Sequence, residues 1–306
     1  MVPSGGHAPA VVSARGLAAA YRQVPVWSDA DFEVAPGEFV AVLGPNGSGK
    51  STLLRILLGL LRPAAGTVEV LGDAPRRGNP AIGYVPQHRP IDPDVRLAGT
   101  EFVRLGIDGH RWGIGNPRRR SALDRRVADA VAAVGAEAYA DRPLGRLSGG
   151  ERQRLMLAQA IISQPRLLLL DEPLASLDIR SQSGVAHLVA SLARTRGIAV
   201  LLIAHDVNPL LPVLDRVMYL ARGRVTVGRP EEVITAEHLS ALYDAHVEVL
   251  RDGRGRVFVV GLDDEIAHPH DRDRDRDRDL GPGPGPIVPG EAPAVAVSHR
   301  AGPDGR

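Results

Sequence analysis

The sequence predicts an α/β fold with a mostly parallel sheet and helices on its faces. Short apolar runs indicate buried strands at Phe39–Leu43, Leu167–Leu170 and Ile198–Ala204. Helical periodicity separates these runs, at Glu151–Ile162 and Arg180–Arg196. Strands that alternate with helices usually pair in parallel. A glycine-rich loop follows the first strand, so we expect a binding site at the carboxyl ends of the strands.

The chain begins with two strands of a second, smaller sheet. Val11–Ala20 alternates weakly in polarity and leads into Tyr21, and Ala30–Val34 is interpreted as its antiparallel return strand. These strands predict an antiparallel β subdomain. Further predicted elements are strands at Gly66–Leu71, Ile82–Val85, Val213–Leu220 and Arg224–Val227, helices at Thr52–Leu61 and Glu231–Asp244, and a hairpin over His246–Val260 that turns at Asp252-Gly253.

A helical segment interrupts the α/β pattern over about residues 95–147. Runs of β-branched residues are few there, and Ala128, Val131 and Val134 recur at helical spacing. We therefore expect an inserted helical subdomain. Within it, His110–Arg120 is a basic connector that contains glycine.

The end of the chain differs in kind from the rest. Asp271–Asp279 alternates Asp with Arg, and Gly281–Pro286 alternates Gly with Pro. Neither repeat can bury apolar surface, so we expect one domain over residues 9–262 and a disordered tail over 263–306. His268 and His270 would form a loose metal site at best, and a solvated tail is the favoured interpretation.

Composition limits the classes of function. The chain of 306 residues has no cysteine, which excludes disulfides and thiolate metal sites and fits a cytosolic protein. Its net charge of +1 gives no argument for binding nucleic acid or an anionic membrane. The N-terminus lacks the pattern of a secretory signal, and no apolar run reaches the roughly 18 residues of a membrane span. Any role at a membrane would require a partner.

The most informative stretch is the loop Gly44-Pro45-Asn46-Gly47-Ser48-Gly49-Lys50-Ser51-Thr52, which matches the phosphate-binding pattern G-x-x-x-x-G-K-[ST]. Its glycines allow backbone N–H groups to face phosphate oxygens at the positive end of a helix. Lys50 would reach the β- and γ-phosphates, and the Ser51 hydroxyl would bind Mg²⁺. Lys50 is the only lysine among 37 basic residues. An ordinary glycine-rich turn would not explain that choice, because Arg and Lys are not interchangeable.

A second motif ends a buried strand with two carboxylates. Leu167–Leu170 is followed by Asp171 and Glu172. Asp171 would lie beside the phosphate loop and hold Mg²⁺, and Glu172 could accept a proton from an attacking water. A buried strand followed by an acidic turn is the alternative. That alternative loses weight beside a phosphate loop, because a nucleotide with Mg²⁺ needs such a carboxylate.

A third motif, Leu147-Ser148-Gly149-Gly150-Glu151-Arg152-Gln153, lies directly ahead of a helix. Free N–H groups at a helix N-terminus can bind an anion, with Ser148 as a cap or a phosphate donor. A serine followed three residues later by a glutamate is also a capping-box pattern, which the residues alone favour. Spacing leaves both interpretations open.

With these three motifs in place, the chain resembles the ATP-binding subunits of ABC transporters. The resemblance covers about residues 11–260, and the motifs occur in the order typical of the family. Gly44–Ser51 resembles Walker A, Asp171 and Glu172 resemble the end of Walker B, and Leu147–Gln153 resembles the signature motif. The expected fold is therefore a P-loop NTPase with the two subdomains described above.

Four further residues match smaller motifs of that family. Tyr21 matches the aromatic residue that stacks on adenine, and Gln87, after Tyr84-Val85-Pro86, resembles the Q-loop glutamine. Asp178, in Ser176-Leu177-Asp178, resembles the D-loop, and His205 resembles the switch histidine. Taken singly, each could be a core or loop residue.

The resemblance implies roles for these side chains. Two subunits would pack head to tail, so that Ser148–Glu151 of one copy contacts the ATP held by Lys50 of the other. Glu172 would act as general base, and His205 would hold the γ-phosphate and orient water. Gln87, with Ser51 and Asp171, would hold Mg²⁺ and link the site to the helical insertion.

The resemblance also implies cofactors, partners and a location. ATP and Mg²⁺ would be the cofactors. A second ATPase subunit, integral membrane permease subunits docked on the helical insertion, and a solute-binding protein would be the partners, with no nucleic acid. The chain would lie peripherally on the cytoplasmic face of the membrane. The stretches His205–Leu210, Leu214–Val217 and Val227–Val233 resemble importer ATPases. Their continuation, Leu242-Tyr243 and the hairpin His246–Val260, is most similar to the subgroup that serves zinc, manganese or iron uptake.

Other functions remain open at this point. The cargo could be an iron-siderophore or another small solute. A non-transport ABC ATPase that acts on nucleic acid would predict paired cassettes or basic insertions, and this chain has one cassette and little net charge. A nucleotide-binding regulator without turnover would predict the loss of Glu172 or Ser148, and both are present.

Overall fold

The computed structural model describes residues 9–21, 24–87, 92, 94–108, 117–243, 246, 248–251 and 257–260. The chain divides into two units, residues 1–262 and 263–306, and all described residues belong to the first. The predicted domain bounds and the predicted disorder of the tail stay predictions, because residues 261–306 lie outside the described part.

Eleven strands and seven α-helices are described in this part of the chain. In chain order they are β1 Val12–Tyr21, β2 Val24–Val34, β3 Phe39–Leu43, α1 Lys50–Leu57, β4 Ala65–Val70, β5 Ile82–Val85, α2 Gly99–Asp108, α3 Pro117–Ala133, α4 Gly149–Ile161, β6 Leu167–Asp171, α5 Ile179–Arg196, β7 Ala199–Ile203, β8 Arg216–Ala221, β9 Arg224–Gly228, α6 Pro230–Val233, α7 Ala236–Tyr243, β10 Glu248–Arg251 and β11 Val257–Val260. A 3₁₀ turn, Leu144–Arg146, precedes α4.

The central sheet has six strands in the order β5-β6-β7-β3-β8-β9. All neighbours pair in parallel except β8 and β9, which are antiparallel. Because β3, β6 and β7 are buried along their whole length, both faces of the sheet must be covered. The predicted mostly parallel sheet is confirmed.

Successive side chains of β3 pack into two different hydrophobic cores. Phe39, Ala41 and Leu43 pack with α4 and α5 on one face, whereas Val40 and Val42 pack with α1 and the antiparallel sheet on the other. This follows from the alternation of side chains along a strand. The phosphate loop begins at the end of β3, so its first residues are anchored by the packing on both faces of the sheet.

The second sheet is antiparallel, in the order β2-β1-β4, as the first strands predicted. Its strand β2 begins at Val24, six residues before the predicted Ala30. The extra length carries Trp27, which is only 2% exposed and belongs to the core under the phosphate loop. The Ser28 N–H donates to Gly223 O at 3.1 Å and joins this sheet to the β8–β9 turn.

The insertion over residues 95–147 is helical, as predicted, and contains α2, α3 and the 3₁₀ turn. The connector at 109–116 lies outside the described residues. The two ends of the insertion pair with each other, since Leu144 N–H donates to Leu97 O at 2.9 Å and Gly99 N–H donates to Arg142 O at 3.1 Å. The chain that follows Gln87 is thereby tied to the chain that precedes α4.

Besides the start of β2, three predicted elements have wrong bounds. The helix predicted at 231–244 is two helices, because the chain turns at Ile234, whose ψ is 85°, and the Thr235 hydroxyl accepts the His238 N–H at 3.2 Å to begin α7. The strand predicted from Val213 begins at Arg216, after a series of turns over 207–214. Helix α1 runs over Lys50–Leu57 rather than Thr52–Leu61. The predicted hairpin turn, 252–256, lies outside the described residues.

Candidate functional site

The phosphate loop folds around its lysine. The Lys50 ammonium donates to Gly44 O at 2.6 Å and to Pro45 O at 3.0 Å, and the residue is 6% exposed. Burial lowers the pKa of Lys50, and the Glu172 and Asp171 carboxylates oppose this shift. A compact ammonium held this way is stabilised by an anion in the loop.

Glycine is required at the base of this loop. Gly49, the N-cap of α1, has φ +92°, and a Cβ there would lie 2.4 Å from Val26 Cγ1 and 2.6 Å from Trp27 Nε1. A Cβ at Gly44 would lie 2.3 Å from Leu220 O. Side chains are therefore excluded at both positions by close packing and, at Gly49, by backbone conformation.

Two buried polar atoms at the loop have no hydrogen-bond partner in the described structure. They are the Ser48 hydroxyl and the Trp27 indole nitrogen. Buried polar groups in native proteins normally have partners. The unpartnered Ser48 hydroxyl, beside the N-terminus of α1, fits a loop whose usual partner is a phosphate.

Asp171 lies at the end of β6, as predicted, and is 8% exposed. Burial raises the pKa of this carboxyl first of all, and the Glu172 charge adds to the shift. Hydrogen bonds from Ser51 and Tyr84 and the charge of Arg55 oppose it. A buried carboxylate with a hydroxyl beside it is a donor set that a hard divalent cation would stabilise.

Tyr84 was not predicted as a site residue. It is paired with Leu169 in the β5–β6 ladder, and its phenol hydrogen-bonds to Asp171 two residues further along β6. Burial raises the pKa of Tyr84, and the Asp171 charge adds to this. The pairing of β5 with β6 creates this contact, and a sequence motif alone does not indicate it.

Glu172 is held between two of the predicted catalytic residues. The Gln87 side-chain amide donates to Glu172 Oε2 at 2.7 Å, and His205 Nε2 lies 2.7 Å from Glu172 Oε1. Glu172 has φ +53°, a conformation that non-glycine residues rarely adopt, and its N–H donates to Ile203 O at 3.2 Å. Strained backbone of this kind is concentrated at functional sites. Gln87, Glu172 and His205 are thus brought together from three separate segments.

A small cavity of about 90 Å³ adjoins this group. Glu172, Gln182, His205 and Asp206 contribute to its wall. It has room for a few water molecules beside the Glu172 carboxylate. Among these residues, Gln182 and Asp206 were not predicted.

The third motif is stabilised by hydrogen bonds between two of its own residues, Ser148 and Glu151. The Glu151 N–H donates to Ser148 Oγ at 3.3 Å, and the Ser148 N–H donates to Glu151 Oε2 at 2.8 Å, which completes a capping box. Arg142 Nη1 lies 3.3 Å from Glu151 Oε1. The Ser148 hydrogen bonds chiefly lower the pKa of Glu151. None of the described hydrogen bonds joins Ser148–Glu151 to Lys50 or Glu172.

Asp178 caps α5 and lies next to the third motif. Its carboxylate accepts the Ser181 N–H at 3.0 Å and the Ser181 hydroxyl at 2.7 Å, and these bonds lower the pKa of Asp178. A Cβ at Gly149 would come within 3.2 Å of Leu177 Cδ2, and one at Gly150 within 3.1 Å of Ser181 Oγ. The start of α5 therefore packs against the start of α4.

One predicted site residue cannot be placed in full, and neither a membrane-spanning helix nor a metal-binding cluster is found among the described residues. Tyr21 is the last residue of β1, but its side chain lies outside the described part, so stacking on adenine stays a prediction. No helix of the described residues is long and apolar enough to cross a membrane. No group of three or more His, Asp or Glu is placed to hold a metal ion within that same part of the chain.

Comparison with known proteins decides the family. The family model described as ABC transporter matches residues 27–175. The zinc import ATP-binding protein ZnuC of Alkalilimnicola ehrlichii is 37% identical over 252 residues, which cover 80% of this chain and 89% of the relative. This chain belongs to the ATP-binding subunits of ABC transporters. It is an ATPase subunit that binds ATP.

Other relatives carry metal transport in their names. ZnuC of Cereibacter sphaeroides is 39% identical over 233 residues, 76% of this chain and 88% of the relative. The manganese transport system ATP-binding protein MntB of Bacillus subtilis is 33% identical over 234 residues, 76% of this chain and 92% of the relative. The predicted resemblance to ABC ATPases of the metal-ion subgroup is confirmed.

Solved structures confirm the fold. A chain of an inward-facing ABC transporter, assigned to the metal-chelate type, has a TM-score of 0.70 at 29% identity and covers 82% of this chain and 96% of its own. The ATP-binding cassette MJ0796, a dimer bound to ADP and Pi in a post-hydrolysis state, has a TM-score of 0.58 at 26% identity and covers 71% of this chain and 98% of its own.

Proposed function

We propose that this chain hydrolyses ATP to power the import of a divalent metal ion, zinc or manganese, through partner permease subunits. The observation that carries the ATPase part is the position of Glu172, whose carboxylate lies between Gln87 and His205 near Lys50 and Asp171. The names of the relatives support the cargo.

The nucleotide site is proposed on the side of Lys50. The loop Gly44–Thr52 would bind the phosphates through its N–H groups, the Lys50 ammonium and the Ser48 hydroxyl, and Tyr21 would stack on adenine. Ser51 and Asp171 are oxygen donors that fit Mg²⁺, Gln87 would be a third ligand, and the cation would neutralise the phosphates. The burial of Asp171 beside the Ser51 hydroxyl supports this assignment.

Glu172 is the proposed general base. A water near its carboxylate would transfer a proton to it while the water oxygen attacks the γ-phosphorus. The bond between that phosphorus and the bridging oxygen then breaks, and ADP and inorganic phosphate leave. His205 would orient the water and contact the γ-phosphate. Before nucleotide binds, Gln87 and His205 both contact the carboxylate, so these contacts must rearrange.

The second half of the site would come from another copy. The N-terminus of α4 is closed by a capping box in which the Ser148 hydroxyl accepts the Glu151 N–H. In a head-to-tail dimer the same hydroxyl and N–H groups would bind the partner's γ-phosphate, with Asp178 at the interface. The dimer of MJ0796 is a precedent in a relative. ATP would then favour the closed dimer, and hydrolysis would release it.

The remaining partners are proposed from the family. Permease subunits would dock on the helical insertion and place the chain at the cytoplasmic face of the membrane. A solute-binding protein would deliver the metal. A metal chelate is a second candidate cargo, because a metal-chelate type transporter is among the structural neighbours.

The ATPase mechanism can be tested with Glu172→Gln in the purified full-length chain. We expect ATP binding to persist and hydrolysis to fall on the order of 10²–10⁴-fold, since the amide cannot accept the proton. Asp206→Asn is the matched control, because Asp206 lines the same cavity and its bond from Asn208 N–H, at 2.9 Å, survives the change. Hydrolysis by Glu172→Gln at the rate of Asp206→Asn would refute the mechanism.

The cargo can be tested separately by uptake. A strain that lacks this chain should lose uptake of labelled zinc or manganese, and the wild-type chain, but not Glu172→Gln, should restore it. Uptake of iron chelates is measured in parallel. Loss of chelate uptake alone would favour the second candidate.

A further inference from the structure

The loop between Glu172 and Asp178 has two strained positions. Glu172 has φ +53° and Ser176 has φ +63°. Neither residue is glycine, so both adopt a backbone region that their side chains disfavour. Such a loop keeps its shape only when its surroundings hold it there.

Backbone hydrogen bonds within this loop are long. The Ala175 N–H donates to Glu172 O at 3.2 Å, and the Leu177 N–H donates to Leu174 O at 3.3 Å. Both lie at or beyond the upper end of ordinary N–H···O distances. Two long hydrogen bonds of this kind are too weak to hold both Glu172 and Ser176 in a strained backbone conformation.

Gln182 adds side-chain support to this loop. Its Nε2 donates to Leu177 O at 3.1 Å, within the ordinary range, and makes a longer bond of 3.4 Å to Leu174 O. One amide NH₂ carries two hydrogens and can satisfy both carbonyls. Among the described residues, no other side chain donates to a carbonyl of this loop. Gln182 also belongs to the first turn of α5, where its N–H donates to Asp178 O at 2.9 Å.

The braced loop connects the two halves of the proposed site. Glu172 and Gln182 both line the cavity that His205 also lines. At the other end of the loop, Leu177 lies so close to Gly149 that a Cβ there would be 3.2 Å from Leu177 Cδ2. A shift of this loop would move the Glu172 backbone and the contact with the start of α4 together.

We propose that Gln182 is a positioning residue for ATP hydrolysis, because its amide binds the Leu174 and Leu177 carbonyls and thereby holds Glu172 in place. The inference rests on the proposed role of Glu172 as general base. Among the described residues, the hydrogen bonds that Gln182 donates go to backbone carbonyls, and none of them joins it to the Lys50 loop. Its loss should therefore lower kcat and leave the binding of ATP at the Lys50 loop unchanged.

The test compares Gln182→Met with a matched variant, Gln159→Met. Methionine has the length of glutamine, suits a helix and cannot donate a hydrogen bond. Gln159 makes the same kind of bond elsewhere, from Nε2 to Phe102 O at 3.2 Å between α4 and α2. We expect Gln182→Met to lower kcat about tenfold with KM for ATP within about twofold, and Gln159→Met to leave both unchanged.

A second measurement follows the loop itself by hydrogen–deuterium exchange. In Gln182→Met, backbone amides of residues 172–178 should exchange faster, while those of β6 residues 167–170 should not change. This readout applies even if the variant is less stable, because global unfolding would accelerate both segments. Faster exchange in 172–178 together with lower kcat supports the positioning role.

Two results would overturn the proposal. One is a kcat of Gln182→Met within about twofold of wild type. The other is unchanged exchange in residues 172–178. If instead Glu172→Gln retains full hydrolysis, the proposed function fails independently of Gln182, so the two failures can be distinguished.

Discussion

The phosphate loop and the start of α4 are both helix N-termini, yet their structures differ. At α1, Gly49 caps the helix without a side chain, and the nearby Ser48 hydroxyl has no partner in the described structure. At α4, Ser148 and Glu151 satisfy each other through a capping box. The first end is arranged to receive an anion, whereas the second is closed by its own side chains.

This difference indicates which end binds ATP first. A phosphate at the Lys50 loop meets open donors and a buried ammonium that gains from an anion. A phosphate at α4 must compete with the Glu151 carboxylate for the Ser148 N–H and with the Ser148 hydroxyl for the Glu151 N–H. We therefore expect one chain to bind ATP through its loop and to engage α4 only when a second chain brings a bound nucleotide.

The largest effect is expected from Lys50→Met. Removal of the ammonium should weaken ATP binding and lower hydrolysis on the order of 10²–10³-fold, as for the loss of one strong electrostatic contact to a reacting phosphate. The nucleotide-free variant should melt no lower than wild type, because a buried charge is replaced by a side chain of similar length. Calorimetric ATP binding and thermal melts check this. Unchanged ATP affinity would show that the loop is not the binding end.

A pair of Gly→Ala variants gives the next largest effect and compares the two ends directly. Gly49→Ala places a methyl group at φ +92°, 2.4 Å from Val26 Cγ1, and should destabilise the chain by about 2–3 kcal/mol. Gly150→Ala, inside α4, meets the Ser181 side chain, with Oγ at 3.1 Å and Cβ at 3.4 Å, and should change stability by less than about 1 kcal/mol. Denaturant unfolding measures both. Equal losses of stability in the two variants would contradict the predicted difference between the two helix N-termini.

The smallest effect is expected from a change in the capping box at the N-terminus of α4. Glu151→Gln should cost about 0.5 kcal/mol at pH 7, because a carboxylate at a helix N-terminus is worth roughly this much. The Ser148 hydrogen bonds lower the folded-state pKa of Glu151. Its contribution is therefore present above the unfolded pKa of about 4.3 and is lost as the pH falls through the folded value. Unfolding measured from pH 7 downwards should show the difference at pH 7 and its progressive loss as the pH falls below the unfolded value.

Local patterns predicted the parts of the site that lie within one stretch of chain. The strand, loop and helix around Lys50, the carboxylates that end β6, and the capping box at Ser148 each depend on residues close in sequence. Tyr84 and Gln182 were missed for the opposite reason. Tyr84 reaches Asp171 through strand pairing, and Gln182 reaches Leu174 across a turn whose shape no motif encodes.

Contacts between distant residues also account for the errors in the predicted fold. The helix predicted at 231–244 has continuous helical periodicity, but the Thr235 hydroxyl begins a new helix by capping His238. The early start of β2 at Val24 depends on the burial of Trp27 against the phosphate loop. Both outcomes were decided by contacts that become available only after folding.

The central claim is that one chain binds ATP at Lys50 and that Ser148 acts on the ATP of a second chain. Its most direct test is the mass of Glu172→Gln with ATP, measured by analytical ultracentrifugation, with and without Ser148→Asp. Aspartate caps a helix as well as serine does, but its carboxylate would repel the partner's γ-phosphate. We predict an ATP-dependent dimer for Glu172→Gln, and a monomer that still binds ATP for the double variant. A dimer that persists in the double variant, or ATP binding that is lost with Ser148→Asp, would contradict the claim.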